Sequence, residues 1–340
     1  MPRLRRVDCN EPGYRRQRRG RGFAYVDQHG GAPLRDRIEL ERIRALAIPP
    51  AWTDVWICRA ANGHLQAVGT DSAGRRQYLY HPVWRANRDR EKFDAMLAFA
   101  RALPKLRKRS TTLVAGDGLT KERVLGCAVL LLDRGLFRIG SEEYAEEHGS
   151  YGLSTLERRH VRLEPGNRIV FDYVGKTGKH LKRAVVDRRL HAVAAELKEH
   201  RHRRKTFLGF ENGHGWSEVR PAEINAFIKE LADGDFSAKD FRTWHATVIA
   251  AASLALSDAK PTVAGRKRAI NDAAADVAEA LGNTPAVCKS SYIDPRVFDR
   301  YRSGDTIAPS VARPARGEAN GNGTRHRRAR EQAVVRLLSS

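Results

Sequence analysis

The sequence predicts an α+β protein: a small N-terminal antiparallel β-sheet domain, then a larger, mostly α-helical domain that carries a β-hairpin. Three observations predict it. Apolar runs at Val55–Cys58, His64–Gly69 and Gln77–His81 are separated by Asn62-Gly63 and by Asp71–Gly74, which is the turn chemistry of a three-strand meander. From Trp84 onward, apolar residues recur at helical spacing instead. Within that helical region two runs, Ile169–Val174 and His180–Val186, flank Gly175-Lys176-Thr177-Gly178, a hairpin with a tight tip.

Residues 1–22 open the chain as a basic arm, rich in Arg and Gly with little apolar periodicity. The sheet domain covers 23–88. Leu34, Ile38 and Leu46, with charges between them, predict a helix that stops at Ile48-Pro49-Pro50, because a residue before Pro avoids the α region. The three strands follow. The helical domain covers 89–310. Its first helix, Trp84–Leu103, carries Phe93, Met96, Leu97 and Ala100 on one face, and Pro104–Gly118 reads as a basic break or hinge. Thr120 caps a helix through Asp133, and further helices are expected at about 187–199 and 221–232. Ser237 with Asp240 three residues on starts a helix through Leu256. The Ala-rich Asn271–Leu281 ends at Gly282-Asn283-Thr284-Pro285, a strong helix stop. Residues 311–340 read as a disordered basic tail, with Val334–Leu338 offering one helical turn.

The charge points to a polyanionic partner. Across 340 residues, 62 Lys and Arg face 40 Asp and Glu, a net charge of +22. Residues 1–22 carry +6 and residues 311–340 carry +5, so the body between them is basic as well. Such a surface attracts nucleic acid first of all. The longest apolar stretches, Cys127–Leu132 and Val248–Leu256, are too short to span a bilayer, and no apolar run follows the basic N-terminus as in a signal peptide. Cys9, Cys58, Cys127 and Cys288 lie far apart, which argues against a zinc site or a disulfide scaffold and fits a reducing cytosol.

Metal and nucleotide chemistry find no foothold in the motifs. The chain has no P-loop, no zinc-protease His-Glu-x-x-His and no calcium-binding loop. Glu142-Glu143 and Glu146-Glu147 read as a solvated helix face. What stands out instead is a set of Arg, Lys and Tyr at pointed places. Arg138 follows a helix end, Lys176 sits on the hairpin tip, Arg242 lies early in a helix, and Tyr292 follows the Gly282–Pro285 stop. Each alone has an ordinary explanation as a surface, turn or packing residue. Together they fit metal-free transesterification of a phosphodiester. A phenol can form a covalent phosphoenzyme. Two guanidiniums can clamp the non-bridging oxygens and stabilise the transition state. A Lys on a flexible tip can give its proton to the leaving oxygen.

The chain resembles the small type IB DNA topoisomerases of bacteria and viruses, from about Tyr25 to Tyr301. The resemblance is carried by Ile48-Pro49-Pro50-Ala51-Trp52, Gly74-Arg75-Arg76-Gln77-Tyr78-Leu79-Tyr80-His81, Phe137-Arg138-Ile139-Gly140, Val174-Gly175-Lys176, Lys239-Asp240-Phe241-Arg242-Thr243, and Gly282-Asn283-Thr284-Pro285 leading to Tyr292. It implies a clamp of the two domains around duplex DNA. It implies Arg138 and Arg242 as the phosphate-clamping arginines, Lys176 as general acid and Tyr292 as nucleophile. The position nine residues before the nucleophile, often His in the family, is Asn283, a neutral donor. Lys239 falls on an auxiliary phosphate contact. Gln77, Tyr78 and Tyr80 fall on a strand that touches DNA in the major groove, and Tyr144 on a further DNA contact. His245, one turn into an apolar helix, reads as structural.

The resulting expectation is a monomeric, cytoplasmic enzyme that relaxes supercoiled duplex DNA through a 3′-phosphotyrosyl link, with no cofactor, nucleotide or metal and no membrane partner. Two alternatives stay open. A tyrosine recombinase shares the chemistry, although the front sheet domain and Lys239, where recombinases carry His, speak against it. A non-enzymatic DNA-binding protein needs only the basic charge.

Overall fold

The computed structural model describes residues 3–29, 31–200, 205–258, 262–312 and 324–340. It divides into two compact units, Met1–Asp94 and Ala95–Ser340. The division falls inside a long helix rather than at residue 88, where the sequence suggested it.

The first unit is built on β1 (Gly13–Arg19), β2 (Gly22–Asp27), α1 (Arg37–Ala45), β3 (Thr53–Cys58), β4 (Leu65–Thr70) and β5 (Arg76–Tyr80), followed by the start of α2 (Pro82–Val114). The sheet has five strands in the order β2-β1-β3-β4-β5, where the sequence pattern gave three. Neighbouring strands are antiparallel. Alternation along β3 feeds two faces. Val55 and Ile57 pack with Ala67 and with Ile43 of α1, while Trp56 and Cys58 pack with Leu65, Val68 and Val7. Asp36 caps α1 by accepting the backbone N–H groups of Ile38 and Glu39.

The expected N-terminal arm of residues 1–22 is corrected by this sheet. Residues 13–19 form β1, between β2 and β3, and Arg5 bridges Gly63. The ladder needs only backbone donors and acceptors, so an Arg-rich strand serves. Arg16 is absorbed by the fold: its guanidinium donates to the carbonyls of Ile48 (3.3 Å) and Pro49 (3.1 Å) and lies 4.1 Å from the Phe23 ring centre.

The second unit begins within α2. The expected break at Pro104–Gly118 is likewise corrected, since α2 runs through Pro104 to Val114. Leu103, Leu106, Ser110 and Val114 on that stretch are buried, and their packing outweighs the hydrogen bond that proline removes. The elements that follow are α3 (Lys121–Gly135), α4 (Glu142–His148), β6 (Val161–Glu164), β7 (Arg168–Val174), β8 (His180–Val186), α5 (Arg188–Glu199), β9 (Gly209–Asn212), β10 (Gly215–Glu218) and α6 (Pro221–Ala232). The chain continues through α7 (Ala238–Ala255), α8 (Val263–Leu281), α9 (Pro285–Ser291), α10 (Pro295–Ser303), α11 (Pro309–Ala312) and α12 (Thr324–Ser339). The expected hairpin is β7–β8, and β6 joins it to make an antiparallel sheet of three. Phe99, Leu103, Leu131, Phe137, Phe171 and Trp244 are among the largest fully buried side chains.

The disordered tail expected at 311–340 is corrected for its last part, while 313–323 lie outside the described residues. Residues 324–339 are helical, and Val334 and Leu338 of α12 are buried. Glu331 is buried too, accepting from Arg107.

Candidate active site

Each of the four charged or phenolic residues of the predicted set is placed by a helix end or a turn that the sequence encodes. Thr120 caps α3 by accepting the Arg123 N–H at 3.3 Å, and α3 ends with Leu136 in the left-handed region at φ 55°. That reversal buries Phe137 with its ring 4.8 Å from Phe171 and turns Arg138 the other way. The segment that carries Arg138 is pinned at two successive carbonyls: that of Arg138 accepts Leu153 N–H and that of Ile139 accepts Ser154 N–H, both at 2.8 Å. Gly140 takes φ 101°, and its backbone lies against Gly152 so closely that a Cβ on Gly152 would sit 2.4 Å from Gly140 N.

Arg242 lies in the first turns of α7, whose start is fixed by Asp240 accepting the Ser237 N–H at 2.8 Å. The side chain is only 3% exposed. It donates to the Leu136 carbonyl at 2.5 Å and to the Leu281 carbonyl at 3.0 Å, and its Nε is buried with no hydrogen-bond partner among the described residues. At the far end of α8, Gly282 takes φ 66° and leads to Asn283. Thr284 then caps α9, with Pro285 in its first turn, and Tyr292 is the residue on which α9 ends. Lys176 sits exposed on the single 3-10 turn that joins β7 to β8, closed by the Gly175 N–H donating to the Lys179 carbonyl at 2.8 Å.

These residues meet. A cavity of about 310 Å³ is lined by Arg138, Gly140, Lys176, Lys239, Arg242 and Tyr292, among others. Arg138 Nη1 lies 3.5 Å from Tyr292 Oη, and the Arg242 guanidinium carbon lies 5.4 Å from the centre of the Tyr292 ring. Arg138 Nη2 donates to Asn283 Oδ1. Asn283 Nδ2 is therefore turned away from Arg138; it is buried, on the side of the Cys288 thiol.

The electrostatics follow from two cations around one phenol. Burial pushes the Tyr292 phenol up, but Arg242 and Arg138 outweigh it and hold the phenol below its ordinary value of 10.0. Burial, and next the like charge of Arg138, bring Arg242 down to about 10. It stays cationic at neutral pH, so the site presents two positive groups to an incoming anion.

One basic residue near the site escaped the sequence reading. Arg183 on β8 donates to the Ala280 carbonyl at 2.9 Å and lies 5.9 Å from the Phe137 ring centre. Its charge is felt by Arg242. The only sequence signal for it is the alternation of β8, which puts Arg183 on the same face as Leu181.

The predicted DNA contacts separate. Lys239 is exposed in the first turn of α7 and lines the cavity. Tyr144 lies on α4, and its side chain is outside the described residues. Gln77, Tyr78 and Tyr80 belong to β5 in the first unit. Tyr78 and Tyr80 are both exposed, with rings stacked at 6.2 Å and 17° between planes. Gln77 lies on the opposite face and donates to Asp71 at 2.9 Å. His245 is buried against Asp133, at 3.1 Å, away from the cavity, as a structural histidine would be. Among the described residues, no three His, Cys, Asp or Glu side chains are grouped to hold a metal ion, and no helix is long and apolar enough to cross a membrane.

The comparisons with known proteins agree with this geometry. The family described as "Eukaryotic DNA topoisomerase I, catalytic core" matches residues 81–305, more than half of the chain, and "Bacterial DNA topoisomerase IB, N-terminal domain" matches residues 22–71. The chain is 31% identical to a DNA topoisomerase 1B of Acanthamoeba polyphaga mimivirus over 301 residues, covering 84% of this chain and 88% of the relative. It is 30% identical to DNA topoisomerase 1 of Schizosaccharomyces pombe, over 53% of this chain and 21% of that protein. The identity to DNA topoisomerase 1B of vaccinia virus is 26%, over 46% of this chain and 51% of that protein. The chain therefore spans a fifth to a half of the latter two relatives and most of the first. With the buried Arg242 and the half-buried Arg138 around one tyrosine inside the matched region 81–305, and with the mimivirus relative covered over most of its length, the chain belongs to the type IB DNA topoisomerase superfamily.

Proposed function

We propose that this protein, a topoisomerase of the bacterial and viral kind, relaxes supercoiled duplex DNA by cutting and resealing one strand without metal or ATP. The observation that carries the reading is the Tyr292 phenol held between Arg138 and Arg242, in a cavity that Lys176 shares.

In the proposed reaction, a phosphodiester of the DNA enters the cavity and its non-bridging oxygens meet the two guanidiniums. The Tyr292 phenol loses its proton to solvent, and its oxygen forms a bond to phosphorus. The bond from phosphorus to the 5′-oxygen breaks, and that oxygen takes a proton from the Lys176 ammonium. The product is a 3′-phosphotyrosyl link and a free 5′-hydroxyl. Arg138 and Arg242 stabilise the extra charge of the five-coordinate transition state, each worth about 10²–10³ in rate on the scale of a preorganised donor. The cut end swivels, torsion in the duplex drives the net change, and the 5′-hydroxyl attacks back. Since a diester is exchanged for a diester, no energy source is needed. Asn283 holds Arg138 through its carboxamide oxygen, and Lys239 adds a contact at the cavity mouth. Tyr78 and Tyr80 on the sheet unit, with Tyr144, contact the duplex away from the cut, while Gln77, turned to the other face of β5 and bonded to Asp71, does not join them.

The test is relaxation of negatively and positively supercoiled plasmid in EDTA, with no nucleotide, by wild-type protein and by Tyr292→Phe. Relaxation of both signs by wild type alone is expected. Strict dependence on magnesium or ATP, or relaxation by the Phe variant, would overturn the reading. DNA binding with no covalent adduct would leave a non-enzymatic DNA-binding protein.

A further inference from the structure

One apolar side chain joins the two segments that carry Lys176 and Asn283. Leu181, on β8, reaches back under the hairpin tip: a Cβ placed on Gly175 would sit 2.6 Å from Leu181 Cδ1. The same side chain reaches the end of α8, where a Cβ on Gly282 would sit 2.7 Å from Leu181 Cδ2. Gly175 immediately precedes Lys176, and Gly282 immediately precedes Asn283 on the turn that leads to Tyr292. Both glycines are thus filled by one leucine, and at Gly282 the φ of 66° demands glycine as well. Two residues along the same face of β8, Arg183 donates to the Ala280 carbonyl at 2.9 Å, so the strand is fastened to the C-terminal end of α8 at two successive points.

We infer that Leu181 is a positioning residue for the proton donor. It sets the distance of the hairpin tip from the turn that carries the nucleophile, and so the reach of Lys176 to the leaving oxygen. The inference rests on the reading of Lys176 as general acid. Shortening Leu181 opens a gap on both glycines at once, leaving the tip attached by its strands but no longer propped against α8. A small displacement of a proton donor is costly, because the efficiency of a held group depends on sub-ångström geometry. The Tyr292 side keeps its own supports, which are the Thr284 cap, the Arg242 contact with the Leu281 carbonyl and the Arg183 contact with the Ala280 carbonyl.

The experiment compares two DNA duplexes, one ordinary and one with sulfur in place of the bridging 5′-oxygen at the cut. A thiolate leaves without a proton, so the sulfur duplex needs no general acid. Single-turnover cleavage is measured for wild type, Lys176→Ala, Leu181→Ala, Leu181→Val and Leu181→Met, with duplex affinity and thermal unfolding measured beside it. Lys176→Ala should lose about 10²-fold or more on ordinary DNA and recover on sulfur, which tests the underlying reading. Leu181→Ala should lose at least about tenfold on ordinary DNA, recover to near the wild-type rate on sulfur, and bind duplex normally. Leu181→Val should show the same pattern more weakly, which covers the case in which the Ala variant does not fold, and Leu181→Met should stay close to wild type. If Lys176→Ala recovers but Leu181→Ala is slow on both duplexes, or fast on both, Leu181 does not position the donor. If Lys176→Ala itself fails to recover, Lys176 is not the proton donor, and the role inferred for Leu181 falls with it.

Discussion

Arg107 on α2 and Glu331 on α12 are joined by two hydrogen bonds, at 2.6 and 2.7 Å, although 224 residues separate them along the chain. The same guanidinium donates twice to Asp133 of α3, at 2.8 and 2.9 Å. Arg327 of α12 also donates to Asp133 at 2.7 Å, and His245 of α7 meets it at 3.1 Å. A buried carboxylate, 2% exposed, thus ties together four helices, two of which also carry or lead to Arg138 and Arg242. Removing one partner from such a cluster leaves an uncompensated buried charge. Arg107→Ala should therefore cost about 3–5 kcal/mol of stability, measured by urea unfolding. A loss below about 1 kcal/mol would mean that Arg327 alone compensates Asp133.

The same cluster makes stability fall with acid in two stages. Burial holds the His245 imidazole below its ordinary value of 6.5, so the unfolded chain binds a proton there before the folded one does. Stability attached to His245 is full above that value and is lost as pH falls through it. Asp133 and Glu331 resist burial through Arg107 and Arg327, and both carboxyls lie below their ordinary values. Their contribution is full above about 4.5 and is lost at lower pH. Thermal unfolding from neutral pH to pH 3 should show both losses. His245→Gln should remove the first and leave the second.

The phenol offers a separate reading of pH. Since Arg242 and Arg138 hold Tyr292 below 10.0, the cleavage rate should rise with pH and level off before an ordinary phenol ionises. Removing either positive charge moves that limb upward, so Arg138→Gln should shift the profile alkaline as well as lower its plateau. A profile unchanged in position would detach the phenol's ionisation from Arg138.

Asn283 should matter, but less than Arg138. Its oxygen accepts from Arg138, so in the proposed reading its part is to aim the guanidinium. Asn283→Ala should cost about 1–3 kcal/mol, or about 5- to 150-fold in single-turnover cleavage. A loss as large as that of Arg138→Ala would give Asn283 a direct contact with the reacting phosphate.

Tyrosine 292 supplies the sharpest prediction. Tyr292→Phe removes one oxygen, so folding and non-covalent DNA binding should persist while covalent capture and relaxation vanish together. Trapping wild-type protein on cut DNA, digesting it and locating the adduct by mass spectrometry should give the peptide that contains Tyr292. An adduct on any other of the nine tyrosines would remove Tyr292 from the role.

What the sequence made legible was whatever local chemistry decides. Thr120, Ser237 and the Gly282–Pro285 stop mark helix ends through caps and turns, and α3, α7 and the end of α8 lie where they were expected. The Arg-rich β1 was hidden because a strand between two others is held by its backbone, while its side chains carry the composition of a disordered arm. Pro104 misled because a helix-breaking residue was outweighed by the burial of Leu103, Leu106, Ser110 and Val114 around it. At the site, Arg138, Lys176, Arg242, Asn283 and Tyr292 were legible from matched motifs in order. Leu181 and Arg183 were not, because their meaning lies in what α8 brings against them. Gln77 was grouped with Tyr78 and Tyr80 by adjacency, and the pleat of β5 turned it to the other face.

Arg242 performs two tasks with one side chain. Its terminal nitrogens reach the Leu136 carbonyl, at the bend before Arg138, and the Leu281 carbonyl, at the bend before Asn283. The guanidinium assigned to the phosphate is thus also a rivet between two loops, and chemistry and architecture cannot be varied independently there. On the proposed reading a substitution of Arg242 changes rate and local stability in the same stroke, and lysine, whose compact ammonium lacks the planar fork, does not reproduce the two-ended bridge. A change at this position would thus meet two separate demands, one from the proposed reaction and one from the fold.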